Sequence, residues 1–481
     1  MGTQTKSIRW YTKLLRTSVA ALLLCGIGAQ NAVAQTQGSG NRLIIRDSLG
    51  LTGILNLCNL LGCSKSQAIG DPDNQLFAIE TPLLLNSLTL GLLTKIPLLG
   101  IVSIETDQTV VTAGSGALAL PPYLNDRTPV TFYGSNVWRG YVNQPAAQII
   151  QADATRSHFN VTGAGITVAV IDTGVDPNHP VLKNSLVTGY DFTRNQSGGS
   201  EMNDVGLTQS TVAVLDGGAT AQVSQSTVAV LDQSTVAVLD GNGYQAFGHG
   251  TMVSGIIHLV APQAKIMPLK SFHADGTAYN SDILRAIYYA ANHGAKVVNM
   301  SFNYATYSQE LANAVNYAST RGLICVAAAG NSGTNAIVYP AALKGVIDVG
   351  STSNNDTPSA FSNYGAPPLL LAAPGEGVMT TYPFGTYAAG WGTSFSAPLV
   401  TGTAALLAST PNVPVKSQTS ISLLGLSLSL SLNTNASVPS GVPQAASALS
   451  HAQWISAPQL GKGRLDSYQA AQAWQSSLGL Q

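Results

Sequence analysis

Hydrophobic positions follow two rhythms between residues 145 and 410, where short continuous apolar runs alternate with segments of helical spacing. Residues 165–171 form one such run, the pattern of a strand buried on both faces. Residues 282–293 set Ile283, Ile287 and Ala290 at helical spacing, with Asp282 as the expected N-cap. Strands are expected over 296–300, 323–329, 346–350 and 369–372, with a helix over 309–319. This order predicts an α/β fold with a mostly parallel central sheet and helices on both faces. Sites in such sheets form beyond the carboxyl ends of strands. Asp172 and Asn331 each fall just past an expected strand end.

The first 34 residues follow another pattern. Lys6, Arg9, Lys13 and Arg16 precede an apolar run over 19–27, and Ala32-Val33-Ala34 gives a small-x-small site before Gln35. That is the pattern of a secretory signal peptide. The run is about half of what spans a bilayer, and Leu24 is bulky where a lipoprotein site at Cys25 would want a small residue. The expectation is a secreted or extracytoplasmic protein with no membrane span in its mature form. Residues 35–143 read as a small α+β region, with strands over 74–81 and 100–105, followed by a Pro/Gly-rich linker over 121–141.

Two segments interrupt the alternation. The octapeptide Gln-Ser-Thr-Val-Ala-Val-Leu-Asp occurs at 209–216, 225–232 and 233–240. It predicts an inserted β-hairpin or short ladder, against the alternative of a disordered surface insertion. Residues 417–440 are Ser/Leu-rich and alternate strictly over 426–432, which predicts a half-buried strand or an aggregation-prone edge. A Gly-x-Gly turn at 461–463 and a helical tail then close the chain.

Composition narrows the function classes. Charged residues make up 9% of the chain, against about 25% in a typical soluble domain. The net charge of −1 supplies no basic field for nucleic acid and no acidic field for cations. Of four cysteines, Cys25 falls in the expected signal. Cys58 and Cys63 are close enough to pair, and Cys325 sits in an apolar run as a buried small hydrophobe.

Three short motifs carry chemistry, in the order Asp172-Thr173-Gly174, Gly248-His249-Gly250-Thr251 and Gly392-Thr393-Ser394. They supply an acid, a base and a nucleophile, the inventory for acyl transfer through serine. Ser394 opens a helical segment with Pro398 early in it, so the helix's exposed amides suit a developing oxyanion. An isolated Asp-Thr-Gly also marks aspartic peptidases, which need two; this chain has one. Nor is the serine string Gly-x-Ser-x-Gly, which disfavours an α/β-hydrolase elbow.

Read together, with Asp172 followed by Thr-Gly-Val-Asp-Pro and with Ala329-Gly330-Asn331-Ser332-Gly333, the motifs resemble the subtilisin-like serine peptidases. The resemblance implies a serine endopeptidase with Asp172, His249 and Ser394 catalytic and Asn331 in the oxyanion hole. It implies a substrate cleft lined by Ser301, Phe302, Asn303, Ala328 and Gly330. Asn303 stands where the family usually has glycine and narrows that cleft; Phe395 replaces a common methionine, and Ser396 an alanine. His179 belongs to the family string without a role in proton transfer. The implied domains are a signal at 1–34, a pro-region and linker at 35–143, and a peptidase domain at 144–481 with insertions at about 205–242 and 415–452. The implied partners are protein or peptide substrates and the chain's own pro-region as an intramolecular inhibitor. No cofactor is required. Calcium often stabilises the family, but no site for it can be assigned. The alternatives are a catalytically weak or inactive secreted adhesion protein that binds through the repeats, and a sedolisin-type peptidase, which uses glutamate where His249 stands.

Overall fold

The computed structural model describes residues 41–83, 85, 87–111, 122–204, 227–230, 244, 246–365, 369–410, 415–423, 426–434 and 442–478. The expected signal peptide and most of the repeat segment lie outside them. The chain divides into two compact units, one running to Gln108 and the other starting at Thr109.

The first unit is an antiparallel sheet of β1 (Asn41–Asp47), β2 (Lys65–Ala68), β3 (Leu76–Thr81) and β4 (Ile101–Thr106), in the order β2-β3-β1-β4. Its core joins Leu43, Ile45, Phe77 and Ile79 of the sheet to Ile54, Leu57 and Leu61 of the Leu51–Leu61 helix. Cys58 and Cys63 form a disulfide across that helix's C-terminus. The region is α+β, as expected.

The second unit begins with β5 (Thr109–Val111) and a hairpin of β6 (Pro129–Phe132) and β7 (Ser135–Trp138). Its main sheet holds β8 (Thr167–Asp172), β9 (Tyr190–Asp191), β10 (Gln196–Ser197), β12 (Lys265–Lys270), β14 (Val297–Met300), β15 (Ile324–Ala328), β16 (Val346–Thr352) and β17 (Leu369–Pro374). The remaining strands are β11 (Thr227–Val230), β13 (Thr277–Tyr279), β18 (Val378–Tyr382), β19 (Thr386–Trp391), β20 (Val415–Leu423) and β21 (Leu426–Thr434). The main-sheet order is β10-β9-β12-β8-β14-β15-β16-β17, parallel at every step except β10-β9. Alternating strands and helices produce that order, because a parallel neighbour needs a crossover.

Two helices, His249–Val260 and Thr393–Ala408, pack against each other in the core and are buried nearly all round. A helix apolar on every face has no solvent side to present. Gly402 lets them approach, since a Cβ there would sit 2.6 Å from Val260 Cβ.

Two expectations change. The expected linker forms the β6–β7 hairpin and the short Arg139–Val142 helix, burying Phe132, Val137 and Tyr141 beside Met379 and Tyr387. Its Pro and Gly count concealed aromatic anchors that gain from burial. The 282–293 helix starts at Asn280 with Tyr279 as cap residue. Asp282 is therefore in the first turn, where its charge suits the helix dipole, and it pairs with Arg285. Of the repeats, Thr227–Val230 is described and pairs antiparallel with β19; the remainder of the expected hairpin or ladder lies outside the described residues. The alternating Leu/Ser segment forms β21 and pairs with β20 over its whole length. At the chain's end Asp466 caps the Ser467–Ser477 helix, accepting from Gln469 N.

Candidate active site

Asp172 is the last residue of β8, a strand whose last five residues are buried. Its neighbour β12 stays in register through Lys270 opposite Asp172. Beyond Asp172 the loop must meet the N-terminus of the His249–Val260 helix. Glycine makes this contact feasible: a Cβ on Gly250 would lie 2.0 Å from the Gly174 carbonyl oxygen. The Asp-Thr-Gly and His-Gly-Thr strings therefore fit each other as surfaces.

His249 Nδ1 lies 2.8 Å from Oδ1 and 3.0 Å from Oδ2 of Asp172. The carboxylate accepts, so Nδ1 carries the proton and Nε2 is the basic nitrogen. Nε2 is buried and makes no hydrogen bond. Thr173 N donates to Asp172 Oδ1 at 2.7 Å, which fixes the carboxylate. Burial by itself would lower the His249 pKa, but the charge and hydrogen bond of Asp172, with the charge of Glu201, hold it above its ordinary value.

Ser394 is the second residue of the Thr393–Ala408 helix. Its Oγ donates to the Ser301 carbonyl at 3.0 Å. Ser301 Oγ in turn donates to the Ser394 carbonyl at 2.9 Å. Asn331 follows the Gly330 turn after β15, and its Oδ1 accepts from both N and Oγ1 of Thr393, each at 2.8 Å. Thr393 Oγ1 also accepts from Gly330 N. The Asn331 loop is thus fastened to the start of the serine helix.

The residues expected to line a cleft flank these groups. Ser301 and Phe302 are buried just past β14, and Ala328 ends β15. Asn303 is half-buried, and its Nδ2 is 3.4 Å from where a Cβ on Gly330 would stand. Phe395 packs with its ring centroid 5.8 Å from that of His249. His179 is buried, with Nε2 3.1 Å from the Thr386 carbonyl oxygen, away from proton transfer. Cys325 is buried and free. Among the described residues, no cluster of three or more His, Cys, Asp or Glu could hold a metal ion. No helix of theirs is long and apolar enough to cross a membrane.

Sequence reasoning missed the groups behind this pair. Glu201 is fully buried and accepts from Thr173 Oγ1, Thr251 Oγ1 and Gly248 N. Lys270 is also fully buried and donates to Asp204 Oδ2 at 2.7 Å and to the carbonyls of Thr173 and Phe272. The two threonines lie within the motifs and were legible there; Glu201 and Lys270 carry no motif.

A parallel α/β sheet with a buried Asp–His pair at one strand end and a serine at a nearby helix start defines a class, the serine hydrolases of the α/β type. Residues 163–424, more than half of the chain, match the subtilase family, and the chain belongs to it. The chain is 36% identical to thermitase of Thermoactinomyces vulgaris over 51% of this chain and 76% of that protein. It is 31% identical to M-protease of Shouchella clausii over 72% of this chain and 80% of that protein. Fervidolysin from Fervidobacterium pennivorans, a keratinolytic enzyme related to subtilisin, matches in fold, with a TM-score of 0.61 and 20% identity over 92% of this chain and 62% of that one. The chain is a serine-type endopeptidase with the subtilisin fold.

Proposed function

We propose that the chain cleaves peptide bonds through an acyl-enzyme on Ser394. His249 removes the Ser394 proton, Asp172 holds the ring in the Nδ1–H tautomer, and His249 then protonates the leaving amine. Asn331 Nδ2 and Ser394 N bind the oxyanion. The observation that carries this reading is the Asp172–His249 contact with Nε2 left unpartnered in the interior. Ser394 Oγ, which donates to the Ser301 carbonyl, must leave that bond to give its proton to Nε2. Loss of one oxyanion donor costs about 10²–10³ in rate, a magnitude measured in this same family.

The substrate runs as an added strand past Ser301, Phe302 and Asn303, with Ala328 and Gly330 across the gap. Thr109–Val111 supports this: it pairs antiparallel with Thr277–Tyr279, the edge strand that follows the carboxyl end of β12. These three residues come directly after the first unit in sequence. On this reading the chain enters the secretory route behind its signal, carries its pro-region and linker within residues 35–143, and is held inactive by its own extended segment until cut beyond Val111.

The test is labelling with a serine-directed fluorophosphonate and casein digestion. Wild type is expected to label and digest, and Ser394→Ala to do neither and to accumulate uncut. Labelling of Ser394→Ala would overturn the assignment.

A further inference from the structure

Behind the Asp172–His249 pair lies a buried carboxylate that the reaction above does not use. Glu201 is placed by a bridge between Val175 and Ser200, in which Val175 N donates to the Gly199 carbonyl at 2.8 Å. Its Oε2 accepts from Thr173 Oγ1 and from Gly248 N, both at 2.9 Å, and its Oε1 accepts from Thr251 Oγ1. Each donor is next or second neighbour to a working residue: Thr173 follows Asp172, Gly248 precedes His249, and Thr251 stands two beyond it.

The two threonines are also acceptors. Thr173 Oγ1 accepts from Gly250 N at 3.0 Å, and Thr251 Oγ1 accepts from Asp176 N at 2.8 Å. Each hydroxyl thus ties the loop after β8 to the start of the histidine helix. A hydroxyl has one proton. With a backbone amide filling its acceptor side, the proton of each threonine needs a buried acceptor, and Glu201 is that acceptor for both.

We propose that Glu201 is a positioning residue: a single buried carboxylate that clamps the Asp172 loop to the His249 helix through Thr173, Thr251 and Gly248 N. The inference rests on the assignment of Asp172, His249 and Ser394. Three donors converge on one carboxyl, so the clamp is complete when Glu201 is ionised. Burial pushes its pKa up to about 7, against the three hydrogen bonds and the Lys270 charge, which pull it down. The charged groups around it are Asp172, His249 and Lys270, with Asp204 paired to Lys270 and Arg194 paired to Asp204. Protonation of Glu201 takes an acceptor from the clamp and a negative charge from beside His249.

The experiment uses the full chain after self-processing, with sites counted by fluorophosphonate titration and a peptide amide as substrate. Titration of wild type but not of Ser394→Ala first establishes the parent assignment on its own. For Glu201→Gln, kcat per titrated site is expected to fall by up to about 100-fold, the scale of a misplaced reacting group. KM should stay within about threefold, because the binding strand is untouched. The acid limb of kcat/KM should move to lower pH as His249 loses a neighbouring negative charge. Glu201→Asp keeps the charge and should keep the wild-type limb while losing part of kcat. If Glu201→Gln does not fold, Thr251→Val removes one clamped hydroxyl at constant shape and should lower kcat in the same sense. Lower thermal stability with kcat per site and the acid limb both unchanged would make Glu201 a packing residue only and overturn the proposal.

Discussion

Ser301 and Ser394 exchange hydrogen bonds: each side-chain oxygen donates to the other's backbone carbonyl, at 2.9 and 3.0 Å. The cause is four residues on. Pro398 has no N–H, so the Ser394 carbonyl lacks its ordinary helical donor, and Ser301 Oγ supplies one. Asn299 Nδ2 donates to Ser301 Oγ and Thr401 Oγ1 to Asn299 Oδ1, both at 2.8 Å, so the pair is held from behind.

Ser301→Ala leaves the Ser394 carbonyl buried without that donor. An unsatisfied buried acceptor costs about 1–3 kcal/mol. The expected result is a stability loss of that size in urea melts, with kcat per titrated site reduced about tenfold for each 1.4 kcal/mol lost from the transition state. Wild-type values for both would remove Ser301 from the support of the nucleophile.

Asp172→Asn keeps the shape but accepts no charge-assisted bond from His249. A loss of about 10⁴ in kcat is expected from the comparable change in a serine protease of another fold. A loss of only a few-fold would mean that the acid is elsewhere, for instance at Asp216, Asp232 or Asp240 at the ends of the repeats.

The pH profile has a definite sign. His249 must be neutral to accept a proton, and its pKa is raised above the ordinary 6.5. Activity therefore falls as pH drops, with a midpoint above 6.5. A plot of kcat/KM against pH checks this, and a midpoint below 6.5 would contradict the Asp172 pairing.

Gly250→Ala places a methyl group where the Gly174 carbonyl oxygen already stands, 2.0 Å from the new Cβ. Overpacking of this kind costs about 1–3 kcal/mol. The variant should melt earlier and lose activity, since the displaced parts are those that carry Asp172 and His249. Unchanged melting would show that the two strings do not need their close approach.

Asn303→Gly opens the gap to Gly330. The expected outcome is a gain of about 10-fold or more in kcat/KM for a large apolar residue before the scissile bond relative to alanine, on the scale of discrimination by apolar pockets. An unchanged ratio across a peptide series would place selectivity elsewhere.

The strands at 165–171, 346–350 and 369–372 were legible because continuous apolar runs mark buried parallel strands. The proposed triad and Asn331 stood out because each lies in a short string with small residues beside it. The 129–142 segment misled because its Pro and Gly outweighed a few aromatics whose burial depends on partners near 379–391. Asp282 misled because a capping residue type marks a helix start only to within a turn.

By itself the sequence determined the order of the main elements, the candidate reacting groups and the family they resemble, since those rest on local periodicity and contiguous strings. The tertiary structure alone decided that Ser301 feeds the carbonyl orphaned by Pro398, and that Glu201, 28 residues from Thr173 and 47 from Gly248, bonds to both the loop after Asp172 and the start of the His249 helix. Both depend on buried hydrogen bonds between residues far apart in the chain, and a buried donor's need for an acceptor leaves no periodic or local trace in sequence.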